Sequence, residues 1–333
     1  MAGRQENPSG EDSLIARYFR PIATDPGAFQ LDDDAAALTA SGEDLVVTTD
    51  AVVEGVHFLP TDPPDTLARK ALRVNLSDLA AKGAMPAGFV LTLALRSAEE
   101  SWLKPFAQAL GEDAALFGCP LLGGDTVSTP GPLMISITAF GLTPPGRMVH
   151  RSGARPGDRV VVTGTIGDAA LGLDVLKSGP VAAALANDAA AREALIARYR
   201  VPQPRNALAM AVRDHASAAM DVSDGLAGDL AKLCAASGVS AAIDAAGIPL
   251  SPAASALLAR GIVGIETIIA GGDDYEILCA IPDDRFAAFA EAAKRAGVAA
   301  TAIGAVVAGH AIPAFLDREG KELALKRLSY SHF

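Results

Sequence analysis

Aspartate returns repeatedly at one kind of place in this chain. Asp34 closes the run Asp32-Asp33-Asp34 ahead of an apolar stretch, and Asp50 closes "VVTTD". Asp78 interrupts the apolar pattern of "NLSDLAA", Asp125 follows Gly-Gly in "LLGGDT", and "MDVSDG" supplies Asp221 and Asp224. A carboxylate set among apolar residues is costly unless it is paired or bound to a metal. One such residue can be a cap or an ion-pair partner. Six are harder to explain that way, although scattered caps and turns remain the competing reading. No His or Cys cluster accompanies them, so the donors are oxygens. Oxygen donors select a hard cation, magnesium above all, which is held by a few carboxylates and shared with substrate phosphates. Thr48 and Thr49 add oxygens beside Asp50.

Two further segments could meet phosphate. "VTGTIGDAALG" combines a strand, a Gly turn and a helix start, which either presents backbone N–H groups to an anion or is a plain connection. Arg147, Arg151 and Arg155 crowd one short stretch, either as a solvated basic loop or as a clamp on nucleotide phosphates. The chain has no GxxxxGK[ST] loop, no GxGxxG fingerprint, no HExxH and no GxSxG elbow.

These residues need elements to hold them. A length of 333 residues predicts two domains. Half the residues are apolar and 5% aromatic, which suits a tightly packed α/β protein. The net charge of −11 argues against broad salt-driven nucleic-acid binding, while leaving phosphate substrates open through metal ions. No run of 18 apolar residues occurs, and the start "MAGRQENPSGED" has no signal-peptide core, so a cytoplasmic protein without a membrane partner is expected. Cys119, Cys234 and Cys279 have no CxxC spacing and predict buried reduced thiols.

The pattern predicts strands at 45–53, 88–95 and 133–141, and helices at 65–82 (Asp65 as N-cap, Gly83 past its end) and about 99–117. "CPLLGGDT" is expected as a short strand and turn. The Gly-, Pro- and Arg-rich segment 143–158 marks the domain junction. Beyond it, "RVVVTG", "AAMDVSDG", "YEILCAI" and "TAIGAVVAG" predict strands. "GDAALGLDVLKSG", "RNALAMAVRDHA", "LAGDLAKLCAASG" and about 283–296 predict helices. Alternation in both halves gives an α/β (α+β) fold. "LGGDT" and "AGGDDYE" echo one another as Gly-Gly turns delivering Asp.

In order, "VVTTDAVVEGVHF", "ALRVNLSDLAAKGAMP", "LLGGDT", "RSGARPGD", "VTGTIGDAALGL", "MDVSDGL" and "GGDDYE" resemble the thiamine-monophosphate kinase family. That family belongs to a superfamily with aminoimidazole ribonucleotide synthetase and selenophosphate synthetase. The resemblance runs from "GEDSLIARYF" to "SYSHF", and "TTDAVVEGVHF" with the terminal HF is what singles out the kinase. It implies two α/β domains, 1–148 for ATP and magnesium binding and dimerisation and 149–333 as the C-terminal domain. N-terminal domains would pair in a homodimer. It implies ATP as co-substrate, several Mg2+ ions, and thiamine monophosphate as the phosphoryl acceptor. Asp34, Thr48, Thr49, Asp50, Asp78, Asp125, Asp221 and Asp224 match the family's magnesium positions. Gly124, Asp125, Arg151 and Ser223 match ATP contacts, and His57, Asp273 and Tyr330 match contacts to the substrate. No covalent nucleophile is implied, the chemistry resting on metal-bound Asp50, Asp78 and Asp125.

The chain departs from the family pattern twice. Asp32-Asp33-Asp34 stands where Gly-Asp-Asp is usual, and Gly271-Gly272-Asp273-Asp274 where Gly-Gly-Glu-Asp is usual. Asp273 is one methylene shorter than Glu, a gap that a water would span. A rival enzyme of the same superfamily would keep "NLSDLAA" but lack "TTDAVVEGVHF". A silent nucleotide-binding homologue would have lost some of the eight matched metal positions, and none is lost.

Overall fold

The computed structural model describes residues 14–26, 28 and 42–329; Asp32, Asp33, Asp34 and Tyr330 lie outside the described residues. The chain divides into two compact units. The first takes the described residues up to Asn75 together with Pro86–Leu142; the second takes Leu76–Met85 together with the described residues from Thr143 onward.

The first unit carries a four-stranded sheet of β1 (Asp44–Val53), β2 (Met85–Leu95), β3 (Leu121–Ser128) and β4 (Met134–Thr143). Its order is β1-β4-β2-β3, so β1 and β3 are the two edges. β2 and β3 run parallel, with Leu91 opposite Gly124 and Thr92 opposite Asp125. Helices α1 (Pro64–Ala81) and α2 (Glu100–Phe117) bury Leu67, Ala68, Ala71, Leu72, Leu103, Phe106 and Leu110 at the three- and four-residue spacing of an inward stripe. Arg69 and Arg73, one turn apart on α1, both hold the fully buried Asp113 of α2. On β4, Ile135, Ile137 and Ala139 are buried, while Met134, Ser136, Thr138 and Phe140 on the other face are only partly covered. Leu45 and Val47 of β1 are 44% and 56% exposed. One sheet face is therefore core and the other is open.

Two local expectations change. Pro64 is the first helical residue of α1, so Asp65 lies in the first turn and is not the cap. Proline suits that position because its missing N–H would have had no partner there. The Gly-Gly of "LLGGDT" is not a turn: Gly123, Gly124 and Asp125 lie within β3. Asp50 likewise lies inside β1 and does not end it. The echo with "AGGDDYE" therefore has no shared structure, since that segment is a loop.

The second unit has a six-stranded sheet ordered β10-β7-β9-β5-β8-β6. Its strands are β5 (Arg159–Thr163), β6 (Ala218–Asp221), β7 (Ser240–Asp244), β8 (Ile277–Ile281), β9 (Ala300–Val307) and β10 (Ala314–Leu316). Its pairings are antiparallel, except that β10 runs parallel to β7. Two apolar clusters share the central strands. Val160, Val162, Met220 and Leu278 belong to one, Val161, Ala219, Ile277 and Cys279 to the other. Burial on both faces explains why these strands read as continuous apolar runs. The helices are α3 (Asp168–Leu176), α4 (Pro180–Ala184), α5 (Ala189–Arg200), α6 (Ala209–His215), α7 (Leu226–Ser237), α8 (Pro252–Ala259), α9 (Ile265–Ile269) and α10 (Asp283–Arg295). All three cysteines are free and buried, as expected. Burial pushes the thiols of Cys119 and Cys279 up to about 12 and that of Cys234 to about 11.

Candidate active site

In the second unit, the turn in which "MDVSDG" leaves β6 and the loop "GGDDYE" lie side by side. Asp273 N–H donates to Ser223 O and Tyr275 N–H to Val222 O, both at 2.8 Å, and Val222 N–H donates to Glu276 O at 2.8 Å. Asp273 and Tyr275 take positive φ angles of 72° and 50°. Side chains rarely adopt that backbone unless their surroundings hold them there. Here a buried carboxylate does so: Asp274, between them, accepts Gly167 N–H at 2.7 Å and Ala169 N–H at 3.4 Å. Burial pushes Asp274 well above the usual carboxylate range, against the pull of Gly167 N–H and Arg198. Those N–H groups open α3, so two backbone donors at the start of "GDAALG" are taken by a protein carboxylate. Beneath the loop, buried Glu276 takes Arg198, Arg205 and Thr163 Oγ1. The platform brings together Ser223, Asp224 and Asp273.

Asp224 is held from below. Lys232 Nζ lies 2.6 Å from Asp224 Oδ2 and 2.9 Å from Asp229 Oδ1. Burial dominates at Asp229 and raises it; at the more exposed Lys232, desolvation is outweighed by the two carboxylates and the ammonium is stabilised.

Asp78, Arg151 and Asp221 gather around Lys82. Lys82 Nζ donates to Ala219 O at 2.9 Å, Val149 N–H to Lys82 O at 3.0 Å, and Ala219 N–H to His150 O at 3.0 Å. These bonds knit the end of α1, the segment before Arg151 and β6. Burial lowers Lys82, Asp221 and Asp78 oppose that, and Arg151 adds to it. Two carboxylates therefore already act on one cation. Among the described residues no three His, Cys, Asp or Glu side chains converge as a complete metal cage. An all-oxygen, incomplete set fits magnesium, which retains water and shares phosphate oxygens. Arg147 is committed to Asp214 at 3.1 Å, whereas Arg151 acts on the same Lys82 as Asp78 and Asp221; the backbone N–H of Arg155 is tied to Asp158 at 2.9 Å.

In the first unit, Thr49 Oγ1 donates to Ile137 O at 3.2 Å and accepts from Thr138 Oγ1 at 3.0 Å. Thr48 is partly covered and Asp50 exposed on the same strand. His57 closes a turn after β1: its N–H donates to Val53 O at 2.9 Å and its Nδ1 accepts Val53 N–H at 3.1 Å. That places the ring proton of the neutral imidazole on Nε2. Lys70 Nζ holds His57 O at 2.9 Å. Gly124 and Asp125 lie on edge β3, and Asp50 on edge β1. Three strand spacings separate those edges, about 14 Å. One chain does not bring Asp50 and Asp125 together.

The chain matches the family models "AIR synthase related protein", N-terminal domain over residues 32–143 and C-terminal domain over 155–316. It is 45% identical to the thiamine-monophosphate kinase of Caulobacter vibrioides, over 98% of this chain and 91% of that one. The chain belongs to the thiamine-monophosphate kinase family. Its structure is similar to that of the thiamine-monophosphate kinase of Stenotrophomonas maltophilia, with TM-score 0.81 and 36% identity, covering 94% of this chain and 96% of that one. It is also similar to AaThiL complexed with AMPPCP and TMP, with TM-score 0.75 and 30% identity, covering 97% and 94%. Sequence reasoning assigned no role to Lys82, Asp229, Asp274 and Glu276, which support the site residues here. Only their burial with several partners marks them, and sequence does not show it. For Asp274 and Glu276 the one available signal was an acidic pair bracketing Tyr275 beside an apolar run.

Proposed function

We propose that this protein phosphorylates thiamine monophosphate to thiamine diphosphate with ATP, by direct in-line transfer. The observation that carries this reading is the two-loop platform. Ser223, matched to ATP and followed by the metal-matched Asp224, accepts the backbone N–H of Asp273, matched to the acceptor substrate. The relatives are thiamine-monophosphate kinases, and the similar AaThiL was solved with AMPPCP and TMP.

The acceptor is a phosphate monoester whose second pKa lies near 6, so it is largely dianionic at neutral pH. No strong general base is needed. The difficulty is to hold two polyanions in line. Asp34, Thr48, Thr49, Asp50, Asp78, Asp125, Asp221 and Asp224 would hold magnesium, which would supply the positive charge that lets the two polyanions approach. Arg151 adds a positive charge that, like Asp78 and Asp221, is felt at Lys82. Asp273 is held by Tyr275 Oη at 3.2 Å and by its own backbone at Ser223, so its short carboxylate reaches the substrate through water. His57 and Tyr330 complete the proposed substrate contacts, Gly124 the nucleotide contacts.

The protein works as a cytoplasmic homodimer paired through its N-terminal domains, with the domain boundary at 148/149. The open sheet face with Leu45 and Val47 supports pairing. So does the edge placement of Asp50 and Asp125: joining β1 of one chain to β3 of its partner would bring the two carboxylates close. Among the described residues no helix is long and apolar enough to cross a membrane.

An ADP-release assay with thiamine monophosphate, free thiamine and an aminoimidazole ribonucleotide tests the reading. Turnover should require magnesium and thiamine monophosphate. Free thiamine offers only a neutral hydroxyl and none of the anionic phosphate oxygens of the monophosphate. If it reaches about a tenth of the monophosphate's kcat/KM, the phosphate-acceptor mechanism is wrong.

A further inference from the structure

Helix α7 anchors two separate segments, one near each end. At its first turn, fully buried Asp229 accepts Ser223 N–H at 3.0 Å and Asp224 N–H at 2.9 Å on one oxygen, Oδ2. Its other oxygen takes Lys232. At the last residue of the helix, the Ser237 hydroxyl accepts Gly153 N–H at 3.1 Å and Ala154 N–H at 3.2 Å, and donates to Arg151 O at 3.4 Å. The backbone from Arg151 to Ala154 thus wraps around one hydroxyl. At a rise of 1.5 Å per residue, a helix holds residues 229 and 237 about 12 Å apart. Neither side chain is in the set matched to ligand. Each grips the backbone of a segment that is.

We propose that α7 sets the spacing of the nucleotide subsite, with Asp229 and Ser237 as its positioning residues. Asp229 fixes Ser223 and Asp224; Ser237 fixes Arg151. This rests on the reading of Ser223 and Arg151 as ATP contacts. The two anchors differ in what their loss does. Without Asp229, two N–H groups and the Lys232 ammonium lose a buried partner together. Without the Ser237 hydroxyl, at a partly exposed helix end, water can satisfy the freed N–H groups, so the fold survives while the Arg151 turn loses its fixed position.

The test uses the full chain. Calorimetry measures binding of a non-hydrolysable ATP analogue with magnesium and, separately, of thiamine monophosphate; steady-state kinetics give both KM values. Ser237→Ala should weaken analogue binding and raise KM for ATP by about five-fold, the worth of one to two hydrogen bonds, while thiamine monophosphate stays within about two-fold. Ser237→Thr keeps the hydroxyl and should restore ATP binding. Asp229→Asn should lose about ten-fold or more for the analogue; should it not fold, the Ser237 pair decides alone. Analogue binding by Ser237→Ala within about two-fold of wild type, or equal weakening toward both ligands, overturns the proposal. A wild type that binds no analogue refutes the nucleotide reading and this inference with it.

Discussion

Gly123 and Gly124 are neighbours in β3, and adding one methyl group to each should have opposite consequences. A Cβ on Gly124 would sit 1.9 Å from Leu91 O, whereas one on Gly123 meets nothing within 4 Å among the described residues. Real Cβ contacts stay beyond 3.0 Å, so Gly124→Ala forces β3 away from β2 by about 1 Å. The displaced residue is paired with Leu91 in the parallel ladder, and the next residue is Asp125 opposite Thr92. Overpacking of this kind costs about 1–3 kcal/mol. A shift of about 1 Å at a group that orients reactants can cost about 100-fold in rate. Gly123→Ala should leave stability within about 0.5 kcal/mol and turnover nearly unchanged. Urea unfolding and ADP release on the two purified variants give both quantities. Equal behaviour of the two would refute the claim that strand approach, and not glycine content, holds Asp125 in place.

Asp50→Asn and Asp125→Asn should each lower magnesium-dependent turnover by at least about 100-fold while circular dichroism stays unchanged; near-normal rates in a folded variant would remove the metal role. A Cβ on Gly228 of α7 would lie 2.4 Å from Ser329 Cβ and 3.2 Å from Leu328 O. Gly228→Ala should therefore raise KM for thiamine monophosphate, because Tyr330 follows Ser329, while helix content holds since alanine favours the helix by about 1 kcal/mol; an unchanged KM rejects this. Asp274 has a raised folded pKa, so the stability it contributes is full below the unfolded value, near 3.8, and is lost as pH rises through the folded value. Wild type minus Asp274→Asn, compared by urea unfolding at about pH 5 and pH 8, should fall with pH; a difference that grows would contradict the burial argument.

Long patterned elements were legible: α1, α2, β4, β5, α7 and α10 match the spacing argument to within a few residues. Asp65 yields the cap position because Pro64 already opens the helix; the Gly-Gly-Asp expectation fails because the surroundings of that motif decide its shape. Gly-Gly-Asp is a strand at 123–125, where another strand must pass close by, and a loop at 271–273. Elements with little apolar contrast, such as the alanine-rich α5 and β7, give periodicity nothing to detect; α5 buries only Leu195 and Tyr199. At the site, the exposed or half-exposed Asp50, Asp78, Asp125 and Asp224 and the buried Asp221 were found because they stand out against apolar runs. Their supports were not, because Asp229, Asp274 and Glu276 look like ordinary polar positions until burial and partners are known.

That division of labour has a physical basis. A carboxylate that is to give charge to a metal or a substrate must stay accessible, and an accessible side chain on a loop is free to move. Fixing it wholly by its own contacts would consume the oxygens it needs; one oxygen of Asp224 is taken by Lys232 and one of Asp273 by Tyr275. Here the loops are fixed through their backbones by other acids: Asp229 grips Ser223 and Asp224, and Asp274 grips the start of α3 from between Asp273 and Tyr275. Burying those acids is unfavourable, as the raised pKa values of both show. Each is offset by two N–H donors, and Asp229 also by Lys232, which is the condition under which a buried charge is tolerated. Removing a support should therefore damage affinity or rate through geometry, leaving the chemistry of the exposed acids intact. Removing an exposed acid should do the reverse.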